Sequence, residues 1–455
     1  MSAAPRLFYL GLAASSLLSL RVGGVTVGDV LLLLSFVVLL LNFDRWPARA
    51  PLAGHTGGGV LLAIVAAAAL ASLSTAAPDE NWAVAARLVY LLVIVPWQAC
   101  LLLTTTERVR TAALWWTGGA ALCAFGTVLQ FVFGSEIIPG GDVTSAGRYT
   151  GFTSHTSDIG GITAVGVIVC VALLSGELGR RTRAAVAVML TCCTIGVFLA
   201  GSVSAMLAIL AAAVFLIVRG AIKAWQVGVF GALAALAFLV AGFIQAQTSN
   251  ALTPAQRIAQ TLGLATYNTQ ATGLNTSKSR METIRLGVTQ FLAPPHLGAD
   301  RVWKYPFLGS GLDPEAGLIL GPLQVHNVLV AALYQGGVVL AVALTLLLWR
   351  HWRLMLTPDK HGLVVTLGAG YLAALTFSMT APSMYNRYLW LPAALLLAAA
   401  VTAAHVGLED RSPRGGTGRS GGGAPVQARP GASVAAPVAI PDRPGDGRHA
   451  RAGEL

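Results

Sequence analysis

Charge is what this chain has least of. Of 455 residues only 11% are Asp, Glu, Lys or Arg, against roughly 25% in an average soluble domain. So little charge cannot cover the surface of a water-soluble protein of this length. With 55% hydrophobic residues and a mean hydropathy of +0.70, the class excluded is the soluble globular protein. Acidic residues are scarcer than basic ones, 19 against 30, which leaves a net charge of +11. A nucleic-acid surface would need that excess as a basic stripe interleaved with aromatics. The arginines sit instead in short loops between apolar runs and in the final segment, so no nucleic-acid partner is expected.

Cysteine is sparse too. Cys100, Cys123, Cys170, Cys192 and Cys193 lie within or at the ends of apolar segments, with no CxxC pair and no Cys/His cluster. That spacing offers neither a disulfide framework nor a metal site, and the five read as small buried hydrophobes. Ionisable residues are rare in the middle of the apolar runs, where an ion-coupled transporter places them. No metal and no cofactor is expected.

Long apolar runs, by contrast, are abundant. A hydrocarbon core needs roughly 20 apolar residues per helix. Windows that fit run over 4–20, 25–43, 57–75, 83–103, 112–133, 159–175, 184–200, 202–218, 224–243, 326–349, 361–380 and 388–406. The expected fold class is an all-α polytopic membrane protein with about 12 transmembrane helices. The first window resembles a signal peptide, but a second follows almost at once, so it is expected to be retained. Only Gly201 and Ser202 separate the seventh and eighth, which makes either a tight turn back or one broken helix.

Basic residues give the topology. Arg45 and Arg49, Arg108 and Arg110, Arg180, Arg181 and Arg183, Arg219 and Lys223, and Arg350, Arg353 and Lys360 fall in alternate loops. The intervening Pro78-Asp79-Glu80-Asn81 has none. The positive-inside rule then puts both termini in the cytoplasm, in a multi-pass protein of the cytoplasmic membrane. Residues 134–158 become a medium outer loop and 244–325 a large, partly helical one. The membrane domain is expected over 1–406. Residues 407–455, rich in Gly, Pro, Arg and Ser, are expected to form a disordered, basic cytoplasmic tail that meets membrane lipids.

Polar residues therefore concentrate on the outer side. Over 278–292, Met281, Ile284, Val288 and Phe291 recur at helical spacing, flanked by Arg280 on one edge and Lys278 with Arg285 on the other. Such a helix would lie along the bilayer surface. Its cations are either interfacial anchors or a grip for a lipid-borne pyrophosphate, which guanidinium holds bidentately. Tyr305-Pro306-Phe307-Leu308-Gly309-Ser310-Gly311 is turn-rich, and His326-Asn327 opens the next span. A His there is either a polar cap or a proton acceptor for a sugar hydroxyl.

These motifs, taken together, resemble the O-antigen ligase and O-antigen polymerase family. His326-Asn327, nine residues, then Gly337-Val338-Val339-Leu340 is similar to its His-Asn-x9-Gly-x-x-Leu pattern. Ser279-Arg280, Pro306-Phe307-Leu308-Gly309-Ser310-Gly311, Gly147-Arg148-Tyr149-Thr150-Gly151-Phe152-Thr153 and Val25-Thr26-Val27-Gly28-Asp29-Val30 also look like stretches of that family. The resemblance covers roughly residues 5–406. It implies a C-type glycosyltransferase-like architecture and metal-independent transfer or polymerisation of a glycan. The donor would be a glycan on undecaprenyl pyrophosphate, and the acceptor a glycan or lipid at the outer face.

By position, the resemblance makes His326 the residue that assists deprotonation of the acceptor hydroxyl, and Arg280 the one that neutralises the departing pyrophosphate. Arg148, Arg285, Asn327 and Lys278 would contact substrate. An unperturbed His326 would make the rate rise near pH 6.5, and neighbouring arginines would lower that point. One departure stands out. The family pattern carries Ser-Arg where the eighth span begins, but Gly201-Ser202-Val203-Ser204-Ala205-Met206 has no Arg. Either Arg148 or Arg285 replaces it, or the donor binds differently, or activity is lost. The other classes left open are a transporter or flippase and a non-catalytic subunit of a glycan assembly complex.

Overall fold

The computed structural model describes residues 3–22, 25–42, 55–73, 78–141, 143–144, 147–226, 228, 231–232, 256, 259, 277–292, 305–312, 317–320, 323–359, 362–382 and 384–411. Most of the window expected at 224–243, and much of the loop expected over 244–325, lie outside the described residues. The chain divides into Met1–Glu409 and Asp410–Leu455. Residues 412–455 also lie outside the described residues, so the architecture is that of the first unit.

Helices dominate: α1 (Ala3–Ala14), α2 (Val27–Leu41), α3 (His55–Ser72), α4 (Pro78–Val89), α5 (Val95–Leu102), α6 (Thr106–Phe133), α7 (Thr156–Ser175), α8 (Arg180–Ala200) and α9 (Val203–Val218). After these come α10 (Ser277–Leu292), α11 (Val328–Met355), α12 (Leu363–Ser378) and α13 (Arg387–Arg411). The last helix thus continues through residues 407–411, which the sequence assigns to the tail. Among the described residues, two short antiparallel ladders interrupt the helices, Arg21–Val22 with Val25–Thr26 and Leu318–Leu320 with Leu323–Gln324.

Six helical segments among the described residues are long and apolar enough to cross a membrane: Asp79–Leu102, Thr106–Phe133, Thr156–Ser175, Arg180–Ala200, Val328–Met355 and Arg387–His405. Four shorter apolar ones accompany them: Val27–Leu41, Gly57–Ser72, Val203–Val218 and Leu363–Ser378. Rows of bare apolar side chains run down the outside, such as Leu207, Leu210, Val214 and Val218 on α9 and Val338, Val342, Leu346 and Trp349 on α11. Water would penalise so much contiguous apolar surface, whereas lipid does not. This is a mostly helical membrane protein.

The ends of the helices sort into two groups. At one end, Arg219 Nη1 donates to the Met355 carbonyl, and Val364 N–H donates to Asp359 at 2.7 Å. At the other end meet the starts of α2, α4, α7, α9, α11 and α13. There Leu312 N–H donates to Asn81, Arg148 reaches Ala200, Arg280 reaches Ser204, and Asn386 donates to Asp158 at 3.1 Å. Because α9 begins at this end and Arg219 closes it at the other, Gly201-Ser202 is a reversal between two helices. Gly201 takes a left-handed φ of 57° and Ser202 caps α9 by accepting from Ala205 N–H at 3.3 Å.

Departures from the expected spans have local causes. The first window stops at Ala14, where Ser15 turns its hydroxyl back to the Leu12 carbonyl at 2.6 Å. Pro96 has no N–H for the ladder, and the turn before it widens to a π-helix over Tyr90–Ile94. In α11 the chain breaks at Gly337, with φ 68° and ψ −172°. Carbonyls beside the break accept from the loop: Ser310 N–H to Tyr334 and Gly311 N–H to Gln335, both at 2.9 Å. A Cβ on Gly337 would sit 2.2 Å from the Phe307 carbonyl, so the motif's glycine is where the loop enters the helix.

One ion pair ties the first part of the fold to the last. Asp29 closes a capping box with Thr26 at the start of α2, and Arg387 at the start of α13 forks onto it, Nε to Oδ1 at 2.9 Å. Both side chains are about nine-tenths shielded, with 12% and 11% exposed. Arg387→Ala is expected to strand a buried carboxylate and cost about 3–5 kcal/mol. Asp29→Asn combined with Arg387→Gln should cost much less, as thermal unfolding of the detergent-solubilised protein would show.

Candidate functional site

The reversal between α8 and α9 organises the polar end. A helix C-terminus leaves carbonyls without partners, and a helix N-terminus leaves N–H groups without them. The loop of 147–153 meets the first need. Arg148 Nε donates to the Ala200 carbonyl at 2.7 Å, and Tyr149 N–H donates to the Leu199 carbonyl at 3.2 Å. The start of α7 meets the same break one turn in, since a Cβ on Gly160 would meet the Ser202 side chain at 2.9 Å.

On the far side, α10 presents Arg280. Its expected apolar row divides, with Met281 and Val288 exposed and Ile284 and Phe291 half-buried. Thr283 is buried, and Gly287 lies against α11. The side turned to the protein is therefore the one carrying Arg280, Thr283 and Gly287, and the exposed part of the apolar row is left for lipid. Arg280 Nη1 donates to Ser204 Oγ in the first turn of α9 at 3.1 Å. Its Nε is buried and has no hydrogen-bond partner among the described residues. Burial lowers its pKa from the ordinary value, yet a guanidinium stays charged.

His326 sits beside it, buried at 6% exposure. Its Nδ1 lies 2.8 Å from the Gln324 carbonyl and 3.4 Å from Thr283 Oγ1. A carbonyl can only accept, so Nδ1 carries the ring proton and Nε2 keeps the lone pair. Thr283 in turn donates to the Arg280 carbonyl at 2.8 Å, which couples the two residues through one turn of helix. Burial first, and then the charge of Arg280, push the His326 pKa down to about 4. The ring is neutral near pH 7, with a free acceptor.

The remaining sequence candidates fare differently. Arg148 is brought to the α8–α9 break, the place where the family pattern has its additional arginine. Arg285 is not, because it is exposed and its Nε donates to Glu282 at 2.8 Å. Asn327 commits both ends of its amide to the fold. It caps α11 by accepting from Leu329 and Val330 N–H, and it donates to the Met379 carbonyl at 3.2 Å. Lys278 lies in the first turn of α10, and its side chain is outside the described residues. Among the described residues, no group of three His, Cys, Asp or Glu side chains could hold a metal ion.

Sequence reasoning missed three contributors: His155, Ser204 and Thr283. Ser204 and Thr283 carry no signal beyond being small and polar. His155 had one, following closely on the Arg148 motif and standing near the start of an expected span. It caps α7 with Nδ1, which accepts from Ser157 N–H at 3.1 Å. The surrounding protein, and then the charges of Arg148 and Arg280, lower its pKa from 6.5.

Two arginines, the N-terminus of a 16-residue helix and two imidazoles kept neutral thus converge at one end of a membrane protein. Each of the first three favours a bound anion, and a neutral imidazole with a bare Nε2 can take a proton. The arrangement can hold an anion with a proton acceptor beside it. In comparisons with known proteins, no family model and no curated protein matches the chain.

The buried imidazole has a measurable consequence. An unfolded chain protonates this histidine near pH 6.5, but the folded one only near about 4. Neutral His326 therefore contributes fully above about pH 6.5, and stability is lost as the pH falls from there toward about 4. The thermal midpoint should drop over that interval, and His326→Gln should flatten the slope.

Proposed function

We propose that this chain is a membrane glycosyltransferase. It would move or polymerise a glycan from an undecaprenyl-pyrophosphate carrier onto a glycan or lipid acceptor at the outer face of the cytoplasmic membrane. One observation carries the reading: an arginine whose buried Nε has no partner among the described residues, linked through Thr283, one helical turn on, to a neutral histidine with a free Nε2. A buried cation without a counter-charge is costly, and a diphosphate is the dianionic group that would complete it. The helix ends that carry Arg108 and Arg110, Arg180, Arg181 and Arg183, and Arg350 and Arg353 belong to the opposite end, which supports an outer-face site.

The chemistry follows from the side chains. His326 Nε2 takes the proton of the acceptor hydroxyl as its oxygen attacks the anomeric carbon. The bond from that carbon to the phosphate oxygen breaks, and its electron pair leaves on the pyrophosphate. Arg280, Arg148 and the first-turn N–H groups of α9 face the charge that develops there, in surroundings dry enough to strengthen the interaction. The exposed apolar residues of α10, Met281 and Val288, give the carrier's lipid tail a surface beside its headgroup. Transport is the weaker reading, because alternating access places its site at mid-depth between repeats, whereas these groups gather at one end.

With the base at about 4, the rate should be level from about pH 5 to about 8 and fall only toward about pH 4. The inflection near 6.5 expected for an unperturbed histidine is thereby displaced. The deciding measurement is surface-glycan production in a deletion strain complemented with wild type, His326→Ala or Arg280→Ala, with membrane expression confirmed. Each variant should lower output by about 100-fold or more and accumulate lipid-linked precursor. Full restoration by both would remove the assignment.

A further inference from the structure

The proposed transfer uses one imidazole, but two stand at the site, and they are fixed in opposite tautomers. His326 gives its Nδ1 proton to the Gln324 carbonyl and keeps a lone pair on Nε2. His155 accepts from Ser157 N–H at Nδ1, so in the neutral ring its proton is on Nε2. Each tautomer is imposed by a main-chain group, and neither depends on a movable side chain. One ring is built to accept at Nε2, the other to donate there.

Location adds to chemistry. The start of α7, which His155 caps, meets the α8–α9 break one turn in, through Gly160 and Ser202. Arg148 reaches that break from one direction and Arg280 from another. His155 is exposed rather than packed away, so its Nε2–H is open to a ligand. The fields of both arginines act on it, and His155 and His326 lie within electrostatic reach of each other. An N-cap alone would be served by Ser, Thr, Asp or Asn at less cost in bulk. Of these caps, only a histidine carries its donor out to the far side of a ring.

We infer that His155 is a catalytic hydrogen-bond donor to the pyrophosphate, its Nε2–H meeting an oxygen of the leaving group while Nδ1 holds the α7 cap. This rests on the glycosyltransferase reading and adds a residue to it. The step balances without transfer of the His155 proton. The acceptor hydroxyl loses its proton to His326 Nε2, the new carbon–oxygen bond forms, and the old one breaks. The electron pair rests on a pyrophosphate oxygen that His155 and the arginines stabilise. A charged His155 is not required, which suits a ring whose pKa the neighbouring cations depress.

Two substitutions separate the donor from the cap. Asn places an oxygen where Nδ1 accepts and is a good N-cap, but its amide N–H stops one bond short of the Nε2 position. Gln reaches the Nε2 position with an amide N–H and is a poor cap. Transfer would be followed in membrane vesicles bearing the cell's own lipid-linked glycan, with thermal stability measured on the same preparations. His155→Asn is expected to keep its thermal midpoint and lose about 100-fold in kcat with KM little changed. His155→Gln should have a lower midpoint yet stay within about tenfold of the wild-type kcat.

The reverse pattern, an active Asn variant and an inactive Gln variant, would reduce His155 to a cap and overturn the inference. Should the Gln variant fail to fold, inhibition by added undecaprenyl pyrophosphate decides. Inhibition of the Asn variant about tenfold weaker than that of wild type supports the donor, and unchanged inhibition rejects it. Wild-type vesicles that transfer no glycan would sink the glycosyltransferase reading and this inference together. An active wild type with an unaffected Asn variant would sink only the role of His155.

Discussion

Hydrocarbon supplies no hydrogen bonds, and the rest of this structure depends on that deprivation. Every peptide group at membrane depth must find a partner within the protein, so helices fill the depth and irregular chain is admitted only where helices have opened to receive it. The break at Gly337 shows the rule. Two carbonyls beside the break are taken at once by N–H groups of Ser310 and Gly311. The reversal at Gly201 shows it again, with Arg148, Tyr149 and Ser202 taking up the groups that two helix ends expose.

The same scarcity gives the proposed site its character. A guanidinium in water is solvated from all sides, and a phosphate adds little to it. Arg280 has given up that solvation and, among the described residues, recovered one hydrogen bond to Ser204 and none at Nε. The deficit is retained by the fold, so an arriving anion meets donors that need not be stripped of water. A helix dipole and a second arginine at the same place add to the attraction. Neutral imidazoles follow as a corollary, because a third and fourth positive charge would be expelled from such a neighbourhood.

Most of the architecture was legible in the sequence because lipid imposes length and hydropathy on a helix with little ambiguity. Where the sequence misled, a local polar group or a proline had decided the matter. Ser15 ends α1 early, and Pro96 inserts a π turn that no hydropathy window records. The resemblance singled out His326 and Arg280, and the structure gives the His-Asn-x9-Gly spacing a local cause. Asn327 caps α11, and ten residues on Gly337 opens it to the loop that follows α10. Thr283 and Ser204 were not legible, since small hydroxyls occur throughout the chain and only folding sets these two beside the charged groups. Which side of α10 meets the protein was hidden for a related reason. The apolar row divides between lipid and protein, with Met281 and Val288 exposed and Phe291 packed beside Tyr334, while the closest protein contact falls at Thr283 and Gly287, which carry no periodic signal.

The pair between Asp29 and Arg387 spans 358 residues, a distance that is also an interval of time. A chain made from its amino end delivers the aspartate to the membrane long before the arginine exists. At about 5–20 residues per second the delay is roughly 20–70 s. Throughout it the carboxylate has only Thr26 for company. The strap from Asn327 to Met379 likewise waits for α12 to finish. A translation product cut short before α12 therefore lacks both closures and leaves at the membrane an acidic group without its counter-charge.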